Sequence, residues 1–251
     1  MQGYEPAMSF DEETARADRD FRRGDEEAAV AFLGKLAGTG PALELGIGTG
    51  RIALPLAAQG IPVDGIDISP AMVAQLRTRP GGDQISVTLG DFAEAPLPGR
   101  YRLIFVVFNT FFNLLSQEKQ VRCFANVAAH LTPDGSFVVE GLMPGHLYQL
   151  RNNQYVDVEA VGVDEVRLDV LRFDPATQLL EESHIALSPD GVRLNPVMQR
   201  YASPAELDLM ARLAGLRLVE RWSGWDRAPL TAASTRHISV YGWPEGEEEP
   251  S

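Results

Sequence analysis

Between Pro41 and Leu142, short apolar runs alternate with stretches whose apolar residues recur at helical spacing. "ALELGI", "IPVDGIDI", "ISVTLGD", "YRLIFVVFN" and "GSFVVEGL" are strand-like; "RIALPLAAQG", "SPAMVAQLRTR" and "SQEKQVRCFANVAAHL" are helix-like. Alternation of this kind points to a mostly parallel sheet. Parallel neighbours need long crossovers, and a crossover helix packs back onto the sheet with a right-handed turn. Ser69 followed by Pro70 opens one helix and Gly60 closes another. Pro55 lies inside a helical pattern and predicts a kink. Upstream, "DEEAAVAFLGKLAG" reads as a helix with Asp25 as its N-cap.

The rhythm changes after Gly141. "EVRLDVLRFD", "QLLEESHIALS" and "VRLNPVMQRY" are three strand-like runs joined by "DPAT" and "SPDG", both turn chemistry. They predict an antiparallel β-meander inserted into the α/β domain. "SPAELDLMARLAG" returns to a capped helix, and "LRLVERW" and "HISVYGW" supply two final strands. The expected fold is therefore α/β: a Rossmann-like, mostly parallel seven-stranded sheet with helices on both faces, plus the meander. Residues 25–145 and 203–243 form the main domain, with 146–202 as the insertion, serving as lid, substrate wall or oligomerisation region. Residues 1–24 are an acidic N-terminal lid segment and 244–251 an acidic tail.

Composition narrows the function. A formal charge of −13 speaks against a nucleic-acid binder, whose affinity rests on basic residues against phosphate. Cys123 is the single cysteine, so neither an internal disulfide nor a thiolate metal cluster is expected, and no metal is assigned. No apolar stretch reaches membrane-spanning length and the opening residues do not read as a signal peptide, so the expected location is cytoplasmic. Arginine far outnumbers lysine, which occurs only at Lys35 and Lys119, a bias associated with GC-rich bacterial genomes. A homodimer stays open.

Glycines at 46, 48 and 50 follow the first strand and open a helix, where α/β sheets bind nucleotides. A dinucleotide fingerprint needs glycine at position 51, which holds Arg51, and a triphosphate loop needs a Lys-Ser/Thr pair, also missing. Asp67 ends the second strand, where a carboxylate can accept ribose hydroxyls. Asp91, ending the third, can accept an adenine amino group beside Phe92.

Together, "ALELGIGTGRIALPLAAQGIPVDGIDISPAMVAQL", "VTLGDF", "YRLIFVVFNTFFNL" and "HLTPDGSFVVEGL" resemble the successive motifs of class I S-adenosylmethionine-dependent methyltransferases. The resemblance spans roughly residues 25 to 142 and resumes at 203 to 241, with Asp134 standing where the family often has a second glycine. It implies S-adenosylmethionine as cofactor, S-adenosylhomocysteine as product and a small organic acceptor methylated on nitrogen or oxygen. It also implies roles for individual residues. Glu44 would hold the methionine ammonium, while Gly46, Gly48 and Gly50 would lie against the amino-acid arm. Asp67 would bind the ribose, Ile68 and Met72 the adenine face, and Asp91 with Phe92 the base. Asn109 would border the methyl group. "FRRGDEEAA" is similar to the lid of sugar N-methyltransferases, which gives Arg23 the cofactor carboxylate. Base-modifying relatives carry Asn/Asp-Pro-Pro-aromatic after the fourth strand; here "NTFF" stands instead, which again favours a small acceptor in bacterial secondary metabolism.

No general base is legible. His146, just after the fifth strand, and Glu140, near its end, are the candidates. His130, on the helix before the fifth strand, reads as a surface residue and His237 as structural, and His184 lies in the meander on a face that the sequence does not assign. Phe112, Asn113, Tyr148, Tyr201 and Trp225 are candidates for the acceptor pocket. Three rivals remain: a cofactor-binding protein that uses this site for cyclisation or another non-methylating step, a nicotinamide-dependent oxidoreductase, against which Arg51 argues, and a protein-interaction module with a vestigial pocket.

Overall fold

In the computed structural model, which describes residues 4–20 and 22–244, the chain begins with a 3-10 turn at Pro6–Ser9 and helix α1 (Glu12–Asp20). Then follow α2 (Glu26–Ala37), β1 (Ala42–Leu45), α3 (Ala53–Ala58), β2 (Val63–Asp67) and α4 (Pro70–Arg77). The next elements are β3 (Ser86–Leu89), β4 (Tyr101–Val106), α5 (Gln117–His130) and β5 (Leu131–Leu142). The insertion contributes β6 (Gln154–Val161), β7 (Val166–Asp174), β8 (Leu179–Ser188) and β9 (Gly191–Arg200). Helix α6 (Pro204–Leu213), β10 (Arg217–Trp222) and β11 (Arg236–Gly242) complete the domain. Most of the acidic tail, 245–251, lies outside the described residues, as do 1–3 and Phe21.

The main sheet has seven strands in the order β10-β11-β5-β4-β1-β2-β3. Only β11 runs against its neighbours. Strand order reverses at β1, which pairs in parallel with β2 on one side and β4 on the other. A crevice opens there beyond the strand ends, the usual ligand position in open α/β sheets. One face of the sheet packs a core that includes Phe124, Phe137, Leu207 and Tyr241; the other packs Leu33, Leu56, Phe105 and Ile238. Helices therefore cover both faces, as the sequence pattern predicts.

Local details refine the sequence reading. Ser69, Ser116 and Ser203 cap α4, α5 and α6, each accepting a backbone N–H three residues on. Asp25 makes no such cap; its carboxylate faces Arg23 and Arg236 instead. Pro55 is the third residue of α3, within the first turn, where N–H groups lack intrahelical partners; the predicted kink is not needed. The insertion holds four antiparallel strands rather than three, in the order β6-β7-β8-β9. The additional strand, "QYVDVEAV", is mostly exposed and carries no buried apolar alternation to announce it.

Candidate active site

A cavity of about 780 Å³ opens at the C-terminal ends of β1, β2 and β4. Its floor is the turn after β1, where Gly46, Gly48 and Gly50 have φ of +70°, +54° and +77°. Side chains are disfavoured at such angles. The three glycines nevertheless answer different needs. A Cβ at Gly46 would lie 2.4 Å from Thr110 Cγ2, and one at Gly50 would lie 2.4 Å from Leu76 Cδ1. A Cβ at Gly48 would meet nothing within 4 Å. Gly50 is thus a packing glycine and is off the cavity wall, contrary to its expected place against the cofactor. Gly48 is the one that faces open space.

Three carboxylates surround this floor. Glu44 is 2% exposed, and its Oε2 has no hydrogen-bond partner among the described residues. Burial pushes its carboxyl well above the usual carboxylate range, a shift that the Ala53 backbone N–H only partly offsets. Asp67 accepts the Gly48 N–H at 2.7 Å and the Ser69 N–H at 2.8 Å, so the ribose candidate is also the brace of the glycine turn. Burial raises its pKa too. Asp91 accepts from Lys119 Nζ at 2.8 Å and from the Ala93 N–H at 2.9 Å. The expected adenine acceptor therefore already holds an ammonium, a pairing that the sequence did not reveal. Ile68, Met72 and Phe92 line the same end of the cavity.

Asn109 also lines the cavity, just beyond β4, where Phe108 and Asn109 take left-handed φ of 57° and 62° in succession. Phe108 is held by Arg23 on one hand and Arg51 on the other, with guanidinium carbons 4.5 and 4.7 Å from the ring centroid. Its N–H donates to Glu140 Oε2 at 2.9 Å. Glu140 Oε1 accepts from Arg23 at 2.6 Å and from Arg236 at 3.3 Å. Glu140 is buried and committed to two cations and a backbone N–H, so it is not a free general base. Arg23 does line the cavity, but Glu140 and Asp25 already engage it.

The N-terminal segment roofs the cavity. Tyr4, Glu5, Pro6 and Phe10 line it, and Asp18 of α1 accepts from Thr49 at 2.8 Å and pairs with Arg51. Ser9 Oγ donates to the Pro196 carbonyl of β9 at 2.5 Å, and Ser69 Oγ donates to the Phe10 carbonyl at 2.6 Å.

The insertion supplies the facing wall through Glu182, His184, Val197 and Gln199. None of these four was singled out as a site residue. Period-two alternation in "LLEESHIALS" puts Leu180, Glu182 and His184 on one face, but which face meets the crevice depends on docking. Several aromatic expectations fail for packing reasons. Phe112 is wholly buried in the core. Trp225 packs edge-on against Phe32 at 5.5 Å beneath α2. Tyr148 and Tyr201 hydrogen-bond each other at 2.6 Å beside the cluster that anchors the insertion. His146 is exposed, with Nδ1 3.0 Å from the Met143 carbonyl, and is off the cavity wall. Asn113 alone of the acceptor candidates lines it. His237 is structural as expected: burial drives its pKa down to about 3, and Nδ1 meets Ser239 Oγ at 2.8 Å.

Comparisons with known proteins point to one family. Residues 42–135 match the family model of a methyltransferase domain. The chain is similar to the CcbJ methyltransferase from Streptomyces caelestis, with 38% identity, a TM-score of 0.89, and coverage of 96% of this chain and 99% of that one. It is also similar to CalS10, an S-adenosylmethionine-bound amino pentose methyltransferase from Micromonospora echinaspora involved in calicheamicin biosynthesis. There the identity is 20%, the TM-score 0.69, and the coverage 92% and 97%. A cypemycin N-terminal methyltransferase from Streptomyces sp. is 24% identical over 198 residues, 79% of this chain and 81% of the relative. The chain belongs to the class I S-adenosylmethionine-dependent methyltransferases, beside small-molecule enzymes of bacterial secondary metabolism, with S-adenosylmethionine as its cofactor and methyl transfer as its reaction.

Proposed function

We propose that this enzyme methylates an amine nitrogen of a small natural-product acceptor bound between the glycine turn and the inserted sheet. The observation that carries the placement is Glu44 Oε2, a buried carboxylate oxygen without a partner among the described residues, in the same cavity wall as Gly48, where a Cβ would meet nothing within 4 Å. An unpaired buried acceptor is costly unless a donor arrives, and a cation suits it best. The methionine ammonium of the cofactor has that chemistry.

When bound, the cofactor supplies a sulfonium-activated methyl group that an acceptor lone pair can take without prior activation of the carbon. The protein contributes position and exclusion of water. Gly48 leaves room for the amino-acid arm. Asp67 keeps lone pairs for the ribose while bracing the turn. Ile68, Met72 and Phe92 supply the apolar slot for adenine, with Asp91 and Lys119 at its rim. Arg23, shared with Glu140, meets the cofactor carboxylate, and Asn109 borders the transfer site. Residues 4–24 act as the lid, and 146–202 as the acceptor wall.

An amine acceptor is favoured over a hydroxyl because the facing wall is acidic, with Glu182 and the adjacent Asp169. The similarity to an amino pentose methyltransferase and to a cypemycin N-terminal methyltransferase agrees with it. Among the described residues no helix is long and apolar enough to cross a membrane, which suits a cytoplasmic enzyme. Val156 and Val158, exposed on the edge strand β6, support self-association through the insertion; light scattering tests it.

The central test is S-adenosylhomocysteine release with paired acceptors: an aminopentose, an aminohexose and a peptide with a free N-terminus, each beside its hydroxyl analogue. Turnover of the amines alone is expected. Turnover of hydroxyl acceptors alone would overturn the amine assignment.

A further inference from the structure

The face of the inserted sheet that meets the cavity carries a group of side chains to which no role has yet been given. His184 on β8 stands opposite Asp169 on β7, and its Nδ1 lies 2.6 Å from Asp169 Oδ1. A carboxylate can only accept, so Nδ1 carries the proton and Nε2 is left as the basic nitrogen. Glu182, two residues earlier and on the same face, completes the group. One donor atom from each of the three lies within 4.8 Å of the others. Glu182 and His184 both line the cavity; Asp169 stands behind them.

We propose that His184 is the proton acceptor for the incoming amine, that Asp169 is its positioning residue, and that Glu182 receives the acceptor's ammonium. This inference rests on the amine reading above. An aliphatic ammonium with a pKa near that of lysine, about 10.4, leaves only about one molecule in 10³ as free amine at pH 7. A nitrogen without a lone pair cannot attack. In the proposed step an N–H bond of the ammonium breaks, and its electron pair stays on nitrogen as the lone pair. The proton goes to His184 Nε2, giving an imidazolium paired with Asp169. The His184 side chain is 44% exposed, so the proton then leaves to water.

The surroundings suit this role. Asp169 faces His184 from β7, and Asp157 of β6 stands opposite Asp169. From β9 the facing residue is the uncharged Asn195. Glu182 is the acid on the same face of β8, and burial raises its carboxyl above the usual range while His184 works against that rise. Tyr4 and Glu5 of the N-terminal segment line the same cavity. No lysine or arginine is paired with His184 in the register of the sheet; the cations that line the cavity, Arg23, Arg51, Lys119 and Arg236, come from outside the inserted sheet.

The experiment is a pH–rate profile of S-adenosylhomocysteine release with the aminopentose of the acceptor panel, for the wild type, His184→Gln, Asp169→Asn and Glu182→Gln. His184→Gln is expected to be about 100-fold slower at pH 7. Its rate should climb with pH until it approaches the wild type above the acceptor's own pKa, and added imidazole should restore part of the rate in His184→Ala. Glu182→Gln should raise KM for the amine with little change in kcat. Asp169→Asn should reproduce most of the His184→Gln profile. Calorimetric affinity for the cofactor should be unchanged in all of them, which reports intact folding. A second readout needs no turnover: cyclohexylammonium chloride, but not cyclohexanol, should shift the His184 imidazole resonances of the cofactor-loaded wild type. Superimposable pH profiles for wild type and His184→Gln would overturn the proton-acceptor role. Loss of activity with a chelator and recovery with a divalent cation would overturn it in favour of metal binding by the same three residues. Failure of wild type to turn over any panel amine would instead defeat the amine reading itself.

Discussion

The two sheets of this molecule are held by different means. In the main sheet, β1 is buried along its whole length and β4 nearly so, and both faces are covered by helices. In the inserted sheet, most residues of β6 are exposed, and the associated apolar cluster is small: Leu147, Leu171, Phe173, Leu180 and Tyr201. Polar contacts fasten the insertion instead. Arg200, at the end of β9 and almost fully buried, donates to Gln120 of α5 at 2.5 Å and to Gln178 and Glu206 at 2.7 Å each. The main domain thus owes its shape to buried apolar area, and the inserted half, proposed above as the acceptor half, owes its placement to a few polar joints. A scaffold of this kind can keep one cofactor site while its acceptor wall varies.

The largest expected effect lies in the cofactor half. Glu44→Gln should weaken S-adenosylmethionine binding by at least about 100-fold, roughly 3 kcal/mol, within the 2–5 kcal/mol expected when one member of a buried charged pair is removed. Its effect on the free enzyme should be of opposite sign. The folded-state pKa of Glu44 is raised, so this group's contribution is favourable at low pH and lost as pH rises through the folded value. At neutral pH, then, Glu44→Gln should melt at a higher temperature than the wild type without cofactor. Calorimetry and thermal melts check both signs. Equal affinity would remove Glu44 from the cofactor site.

In the acceptor half, Arg200→Met should destabilise by about 3 kcal/mol, because Glu206 and Gln120 lose a buried cation. Hydrogen exchange should show the loss concentrated in β6 to β9 with β1 and β4 unaffected. Uniform loss over both sheets would break the comparison.

A smaller effect separates the halves by pH. His237 in β11 has its pKa lowered to about 3 by burial, so below about 6.5 the unfolded chain binds a proton that the folded one refuses. Stability should therefore fall by about 1.4 kcal/mol between neutral pH and pH 5.5 on this account. His237→Gln should flatten that slope in urea titrations. Smallest of all, Tyr148→Phe breaks the Tyr148–Tyr201 hydrogen bond and should cost about 1 kcal/mol, read as faster exchange in the insertion alone.

The same contrast explains what the sequence made legible. Gly48 and Asp67 could be placed because strand ends of a parallel sheet converge on one crevice, so position along the chain implies position in space; Glu44 and Met72 were placed by the family resemblance, and both line the cavity. Gly46 and Gly50 were assigned to the same crevice; Gly46 does line it and Gly50 does not, and contacts with Thr110 and Leu76, both long-range, leave no room for a side chain at either. Lys119 at Asp91 is long-range too: it reaches the third strand's end from α5, 28 residues later. The insertion's contribution was the least legible. Its alternation defined two faces, but only docking through Arg200 and the small cluster decides that Glu182 and His184 meet the crevice. Aromatic residues misled because Phe112, Trp225 and Tyr201 are large, and large rings fill cores before they line pockets.

Residues 9 and 10 join both halves at once: Ser9 to the carbonyl of Pro196 in the inserted sheet, and Phe10, through its own carbonyl, to Ser69 at the start of α4. A roof pinned on two sides can be loosened on either. Each pin has company: Asp18 also meets Thr49 and Arg51, and Tyr4 Oη accepts from the Met198 N–H of β9. Loss of one contact should therefore loosen one side of the roof without releasing it. Ser9→Ala is expected to raise hydrogen exchange in β9 and Ser69→Ala at the start of α4; equal exchange in the two variants would dissolve the distinction.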